Sequence, residues 1–199
     1  MSEIVLPEAK VEGLSSFEAN LYGRRSVREF SEVPLSLATA GQLLWAAQGV
    51  TSAAGERTAP SAGALYPLEL YLAAGSIEGI AAGVYRYRPR DHTLRLHLAG
   101  DRRDKLAQAA FGQSALAGAA AILVVTAVYR RTSVKYGSRA NRYVHMEVGH
   151  AAQNVYLQAE SLRLGTVIIG AFEDERVRDV LELPRSETPL ALLPVGTRR

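Results

Sequence analysis

With 199 residues, 48% of them hydrophobic and 22% charged, the chain is long enough for one domain with a substantial core and too apolar for disorder. It contains no cysteine, which excludes a disulfide framework, a thiolate metal site, an iron–sulfur cluster and a cysteine nucleophile together. The net charge is only +3, but residues 84–142 hold ten arginines and two lysines against Asp91, Asp101 and Asp104, so a polyanionic partner has to be weighed.

The N-terminus is acidic and lacks an apolar signal region, which points to a cytoplasmic protein. Residues 14–23 read as a helix ending at Gly23. RRSVREF follows at 24–30. In an extended segment Arg24, Ser26 and Arg28 share one side, and two guanidiniums with a hydroxyl suit a phosphate or another anion. A solvated basic turn is the plain alternative. Residues 36–48 predict a second helix, with Ser36 as N-cap and Leu37, Gly41, Leu44 and Ala47 near helical spacing. In TAPSAGALYPLELY (58–71), Pro60, Ser61, Ala62, Gly63 and Ala64 form a small-residue loop. Such a loop lets backbone N–H groups approach a flat or charged ligand, or is simply a tight connection. It is neither a GxxxxGK[ST] phosphate loop nor a GxSxG nucleophile elbow.

Strands are predicted at 68–73, 84–87, 94–98, 121–128, 166–170 and 190–195, the second and third pairing as a hairpin around PRDHT. Residues 106–129 carry no charge, but Gln108, Gly112, Gln113, Ser114 and Gly118 break the apolar run. A helix over 102–111, a small-residue turn and a buried strand fit it better than a membrane span. KYGSRANRYVHMEVGHAAQN (135–154) places Lys135 beside Tyr136 in a polar loop feeding a long helix over 143–164 closed by Gly165. A lysine near arginines, or partly desolvated, exchanges protons near neutral pH; an ordinary surface loop is the alternative. Glu147 and His150 have the i, i+3 spacing of carboxylate-bridged metal bundles, but the second ExxH and the further glutamates of such bundles are missing, so packing or a subunit contact is expected. LGTVIIGAF (164–172) ends a buried strand in Gly170-Ala171, small enough for a planar ring to approach. A helix over 174–182 and the terminal VGTRR complete the chain; its arginines either fray or close over a phosphate. Residues 1–199 thus read as one α+β domain, a sheet with helices on both sides.

These segments, in this order, resemble the nitroreductase family of flavin enzymes. RRSVREF resembles its N-terminal flavin motif, PSAGALYP the segment that lies against the flavin from the partner subunit, VIIGAF the strand end beside the isoalloxazine, and the terminal arginines its last phosphate contact. Within the family, PSAGALYPLELY, GVYRY and the KYGSRANRY–MEVGH–AAQN run are most similar to the SagB-type, azoline-oxidising branch, which has a catalytic Lys-Tyr pair where Lys135-Tyr136 stands. Ala64 stands about where other nitroreductases carry asparagine. The resemblance implies a three-layer fold with a central mixed, mainly antiparallel sheet, and an intertwined homodimer with FMN at its interface. Arg24, Arg25, Ser26, Arg28, Ile169, Gly170, Ala171 and Arg198 and, from the other subunit, Pro60, Ser61, Ala62, Gly63, Ala64 and Leu65 are its implied cofactor contacts. Lys135 and Tyr136 are its implied catalytic pair. It implies hydride transfer through the flavin between NAD(P)H or an organic substrate and an acceptor, with azoline oxidation in a peptide or a non-catalytic flavin-binding role as alternatives. No nucleic-acid reader motif accompanies the basic stretch, so neither nucleic acid nor membrane is an expected partner.

Overall fold

A computed structural model describes residues 3–199. Its centre is a seven-stranded sheet in the order β1-β4-β3-β2-β5-β7-β6. The strands are β1 Glu3–Val5, β2 Leu68–Ala74, β3 Gly83–Arg88, β4 Thr93–Ala99, β5 Ala121–Ala127, β6 Leu164–Thr166 and β7 Thr188–Thr197. All pairings between them are antiparallel. Among the described residues the parallel component of the expected mixed sheet shrinks to the bridge Leu35–Ile77. The helices are α1 Phe17–Gly23, α2 Leu37–Gln48, α3 Arg103–Ala109, α4 Ser114–Gly118, α5 Tyr129–Tyr136, α6 Ala140–Ser161 and α7 Asp174–Leu181.

β5 shows why the fold has three layers. All seven of its residues are buried, and a strand's side chains alternate between faces. Leu123 and Val125, with Leu70 and Leu72 of β2, pack on Leu43 and Leu44 of α2 and Val148 and Val155 of α6. Ile122 and Val124, with Tyr71 of β2, pack on Leu106, Leu116, Val177 and Leu181 of α3, α4 and α7. The apolar, β-branched sequence AILVVTA therefore feeds two separate cores. No helix among the described residues is long and apolar enough to cross a membrane; the uncharged stretch is α3, α4 and β5.

Ser36 caps α2 as expected, its hydroxyl accepting the Thr39 N–H at 3.1 Å. Several elements differ from expectation: β1 is not among the expected strands, α4 replaces a small-residue turn, and three differences lie near the candidate site. The polar loop around Lys135 is helix α5, with buried Thr132 as its inward contact and Gly137, at φ +54°, ending it. The long helix runs earlier, Ala140–Ser161, and Gly165 does not close it but lies in β6, where a Cβ would stand 2.6 Å from Val27 Cγ1 and glycine alone leaves room. The strand expected over 166–170 stops at Thr166 and pairs once more at Ile169 with Leu192. Between them the Ile168 N–H leaves the ladder to donate to Tyr156 Oη at 2.9 Å.

Candidate active site

The site residues fall into two assemblies, both built on α6. The first gathers around Tyr156. After α1 the chain straightens and docks along β6 and the end of β7: Val27 N–H donates to Thr166 O and Ser31 N–H to Thr197 O, each at 2.9 Å. Arg24 lies with its guanidinium carbon 5.1 Å from the centre of the Tyr156 ring. Ser26 Oγ is 3.1 Å from Tyr156 Oη. Since Tyr156 Oη accepts from Ile168, its own proton is available to Ser26. One buried phenol thus ties the basic segment to the strand end carrying Ile169, Gly170 and Ala171. Ile169 is buried, while Gly170 and Ala171 are exposed, and a Cβ built on Gly170 meets nothing within 4 Å.

The arginines of this assembly are not equivalent. Arg25 Nη1 donates to Tyr22 O at 2.9 Å and Arg24 O at 2.8 Å, closing the end of α1. Arg198 donates through Nε to Leu164 O at 2.9 Å and is ion-paired with Glu160. Arg24 and Arg28 have no ion pair among the described residues. Arg25 and Arg198 are therefore engaged by their own chain, Arg24 lies over Tyr156 and Ser26 is hydrogen-bonded to it, while the Arg28 guanidinium forms no ion pair among the described residues.

The second assembly gathers around Glu147. Residues Pro60–Leu65 form a loop with a 3₁₀ turn at Ala62–Ala64. Gly63, Ala64 and Tyr66 take φ of +63°, +53° and +45°, a region costly to residues with a Cβ. The Ala62 N–H donates to Glu147 Oε1 at 3.0 Å and the Tyr66 N–H to Ser61 Oγ at 2.9 Å. Glu147 is 4% exposed. Burial pushes its pKa up, opposed by hydrogen bonds from Ala62 and Ser61 and by the charges of His150 and Arg57. Arg131 of α5 donates to Tyr66 O at 2.9 Å and pairs with Glu69 on β2. Arg57 lies over the Tyr66 ring at 4.4 Å. Four residues after Arg131, Lys135 and then Tyr136 reach the same loop: Tyr136 Oη and Lys135 Nζ stand 2.8 and 3.0 Å from the place of a Cβ on Gly63. The expected pair therefore meets the small-residue loop of its own chain.

Tyr156, Glu69 and Arg131 were silent in the sequence as site-building residues, and Glu147 showed only as a packing pair. Tyr156 sits 130 residues from Ser26, and no local pattern signals that contact. Glu147 and Tyr156 are nine positions apart, so the assemblies lie about 13 Å apart along α6 and half a turn apart around it.

The chain belongs to the nitroreductase family, which it matches over residues 21–197, and it is an oxidoreductase. It is 47% identical over 196 residues to a protein of Methanocaldococcus jannaschii described as a nitroreductase, covering 98% of this chain and 96% of that one. A crystal structure of a protein of Ralstonia eutropha described as a nitroreductase superposes with a TM-score of 0.87 at 30% identity, over 99% of this chain and 90% of the other. A chain of the Escherichia coli microcin synthetase McbBCD complex with truncated pro-MccB17 bound superposes with a TM-score of 0.77 at 25% identity, over 96% and 76%.

Proposed function

We propose that the protein is an FMN-dependent oxidoreductase that works as a homodimer. Each active site takes Arg24, Ser26, Arg28 and the Ile169–Ala171 strand end from one copy, and the 60–65 loop with Lys135 and Tyr136 from the other. The observation that carries this reading is the placement of the two assemblies on opposite sides of α6. Within one chain the helix itself stands between them, whereas two copies packed side by side can bring one of each together. The N-terminal region supports a second copy. None of the seven residues of α1 is buried, and Val11, Leu14, Phe17 and Tyr22 are 61–92% exposed. A helix that touches its own chain through α6 but buries none of its residues presents the kind of apolar surface that marks an interface.

The residues fit FMN. Gly170 opens onto free space and Gly63 and Ala64 are exposed, which leaves room for a flat ring. Arg24 and Arg28 offer forked cations to a phosphate or to the electron-rich edge of the ring, with the Ser26 hydroxyl between them. When bound, FMN supplies two-electron chemistry, accepting hydride at N5 from NAD(P)H or an organic substrate for a nitro, quinone or related acceptor. Arg24 and Arg28 stabilise negative charge by fixed donors. Lys135 and Tyr136 hold or move a proton on the substrate. A second reading, azoline oxidation in a peptide, is favoured by the convergence of Lys135 Nζ and Tyr136 Oη on Gly63 and by the likeness to the microcin synthetase chain. In it the pair removes a proton from substrate carbon.

Anaerobic titration of the purified protein with NADH and NADPH, following the flavin band, tests the reading. A yellow protein bleached by either nucleotide is expected. Colourless protein that FMN does not stabilise refutes the cofactor, and bound flavin that neither nucleotide bleaches, in a protein inert toward azoline peptides, supports a non-catalytic flavin binder. Lys135→Ala is expected to lower turnover at least tenfold with one acceptor or peptide; unchanged turnover with all of them removes Lys135 from the mechanism.

A further inference from the structure

We propose that Glu147 is a positioning residue of the active site: its carboxylate clamps the Ser61–Tyr66 loop in its left-handed conformation and so seats Gly63 against Lys135 Nζ and Tyr136 Oη. The inference rests on the reading of this loop as part of the active site. Three consecutive observations support it. The loop holds three residues at positive φ, two of them with side chains, so it does not keep this shape by local preference. Its restraints come from outside. Glu147 Oε1 accepts the Ala62 N–H at 3.0 Å and Glu147 also binds the Ser61 side chain. The Ser61 Oγ in turn accepts the Tyr66 N–H at 2.9 Å, so one carboxylate reaches both ends of the strained stretch. Finally, the part so constrained is the part that touches the expected proton-handling pair.

The carboxylate is also an expensive way to hold a loop. It is 4% exposed, and burial disfavours its charged form. The groups facing it are Ser61 and Ala62 of the loop, His150 of its own helix and Arg57 of the preceding segment. Lys135 and Tyr136 lie beyond Gly63. Two donors, the Ala62 N–H and the Ser61 O–H, converge on it. Only the ionised carboxylate accepts both without bringing a hydrogen of its own. A group kept solely for packing would be replaced by an apolar side chain without loss; a group kept to orient two donors would not.

The test is hydrogen–deuterium exchange of the flavin-free protein, with turnover of the flavin-loaded protein alongside. In E147A the amides of residues 62–66 are expected to lose at least tenfold in protection while β5 and α6 keep theirs. In the same variant kcat falls about tenfold, with KM for the nicotinamide within threefold of wild type. E147Q keeps an acceptor for Ala62 but points an amide donor at Ser61. It is expected to lie between, with at least threefold lost at Tyr66 and threefold in kcat, and it carries the test if E147A does not fold. Wild-type exchange and wild-type kcat in E147Q overturn the proposal, as does a loss of protection spread evenly over the sheet. A protein without flavin whose 62–66 amides still respond sinks the cofactor reading alone. Bound, reducible flavin with unresponsive amides sinks the role of Glu147 alone.

Discussion

Tyr156→Phe removes one oxygen from the place where the basic segment meets the strand end, and leaves the packed ring in position. That oxygen takes the Ile168 N–H at 2.9 Å and stands 3.1 Å from Ser26 Oγ. Ser26 is exposed, so its hydroxyl turns to water at little cost. The Ile168 amide is tethered at a residue 39% exposed and is only partly rehydrated. The loss is therefore about 1 to 2 kcal/mol, that of one hydrogen bond with an imperfectly solvated donor. For a chain of this size that corresponds to a fall of roughly 2–8 °C in melting temperature. Arg24 keeps its place over the ring, but residues 24–28 lose their tie to Ile169 and Gly170. At the proposed FMN site a comparable loss of about 1 kcal/mol weakens the dissociation constant about fivefold. Calorimetry of the flavin-free protein and a flavin-fluorescence titration measure the two effects separately. Ser26→Ala isolates the ligand side, with the Ile168 tether intact. An unchanged melting temperature together with an unchanged FMN affinity in Tyr156→Phe would falsify the view that this phenol joins the two segments.

Gly63→Ala places a methyl 2.8 Å from Tyr136 Oη at a φ of +63°, so a loss of roughly 1 kcal/mol in stability and a displaced Lys135–Tyr136 pair are expected, read by denaturant unfolding and turnover. Glu187, 2% exposed, accepts from Tyr71 Oη at 2.9 Å and Thr126 Oγ1 at 2.8 Å and faces Arg86 at 3.5 Å. Glu187→Ala strands two buried hydroxyls and should cost about 3 kcal/mol, whereas Glu187→Gln keeps an acceptor and should cost less than half of that by urea unfolding; equal losses would count against the network. His92 accepts the Tyr87 hydroxyl proton at Nδ1, 2.9 Å away, and donates from Nε2 to Pro7 O at 3.0 Å. Burial holds its pKa below the usual 6.5. The unfolded chain therefore takes up the proton first, and the stability this residue supplies is complete above pH 6.5 and is lost as the pH falls below it. His92→Gln should flatten the acid side of the stability profile; a profile as steep as that of wild type would reassign it to another group.

Elements set by side-chain periodicity were legible in the sequence. β5 was readable because its burial on both faces demands an unbroken apolar run, and α2 because its hydroxyl cap and apolar spacing agree. α5 was not: YRRTSVKY buries only Thr132, and its helical state depends on Arg131 reaching Tyr66 and Glu69 across the fold. The basic stretch needed three-dimensional bookkeeping as well. Arg86, which reads as part of a solvated hairpin face, pairs with Glu69 and the buried Glu187, Arg88 with Asp91 and Glu3, and Arg103 with Asp101. The candidate site motifs are short strings, while the residues that hold them in place, Tyr156, Glu147 and Arg131, act across 65 to 130 positions of sequence and leave no local signal.

The separation of Glu147 and Tyr156 on one uninterrupted helix gives α6 the character of a gauge. Each inserted or deleted residue between them changes their spacing by about 1.5 Å and their relative bearing by about 100°. In the proposed homodimer, a single-residue indel there would swing one assembly away from the other copy's matching half, although every side chain remained. Tolerance to change along residues 148–155 should therefore be asymmetric: many exchanges of side chain survive, but changes of length do not, short of additions close to whole turns.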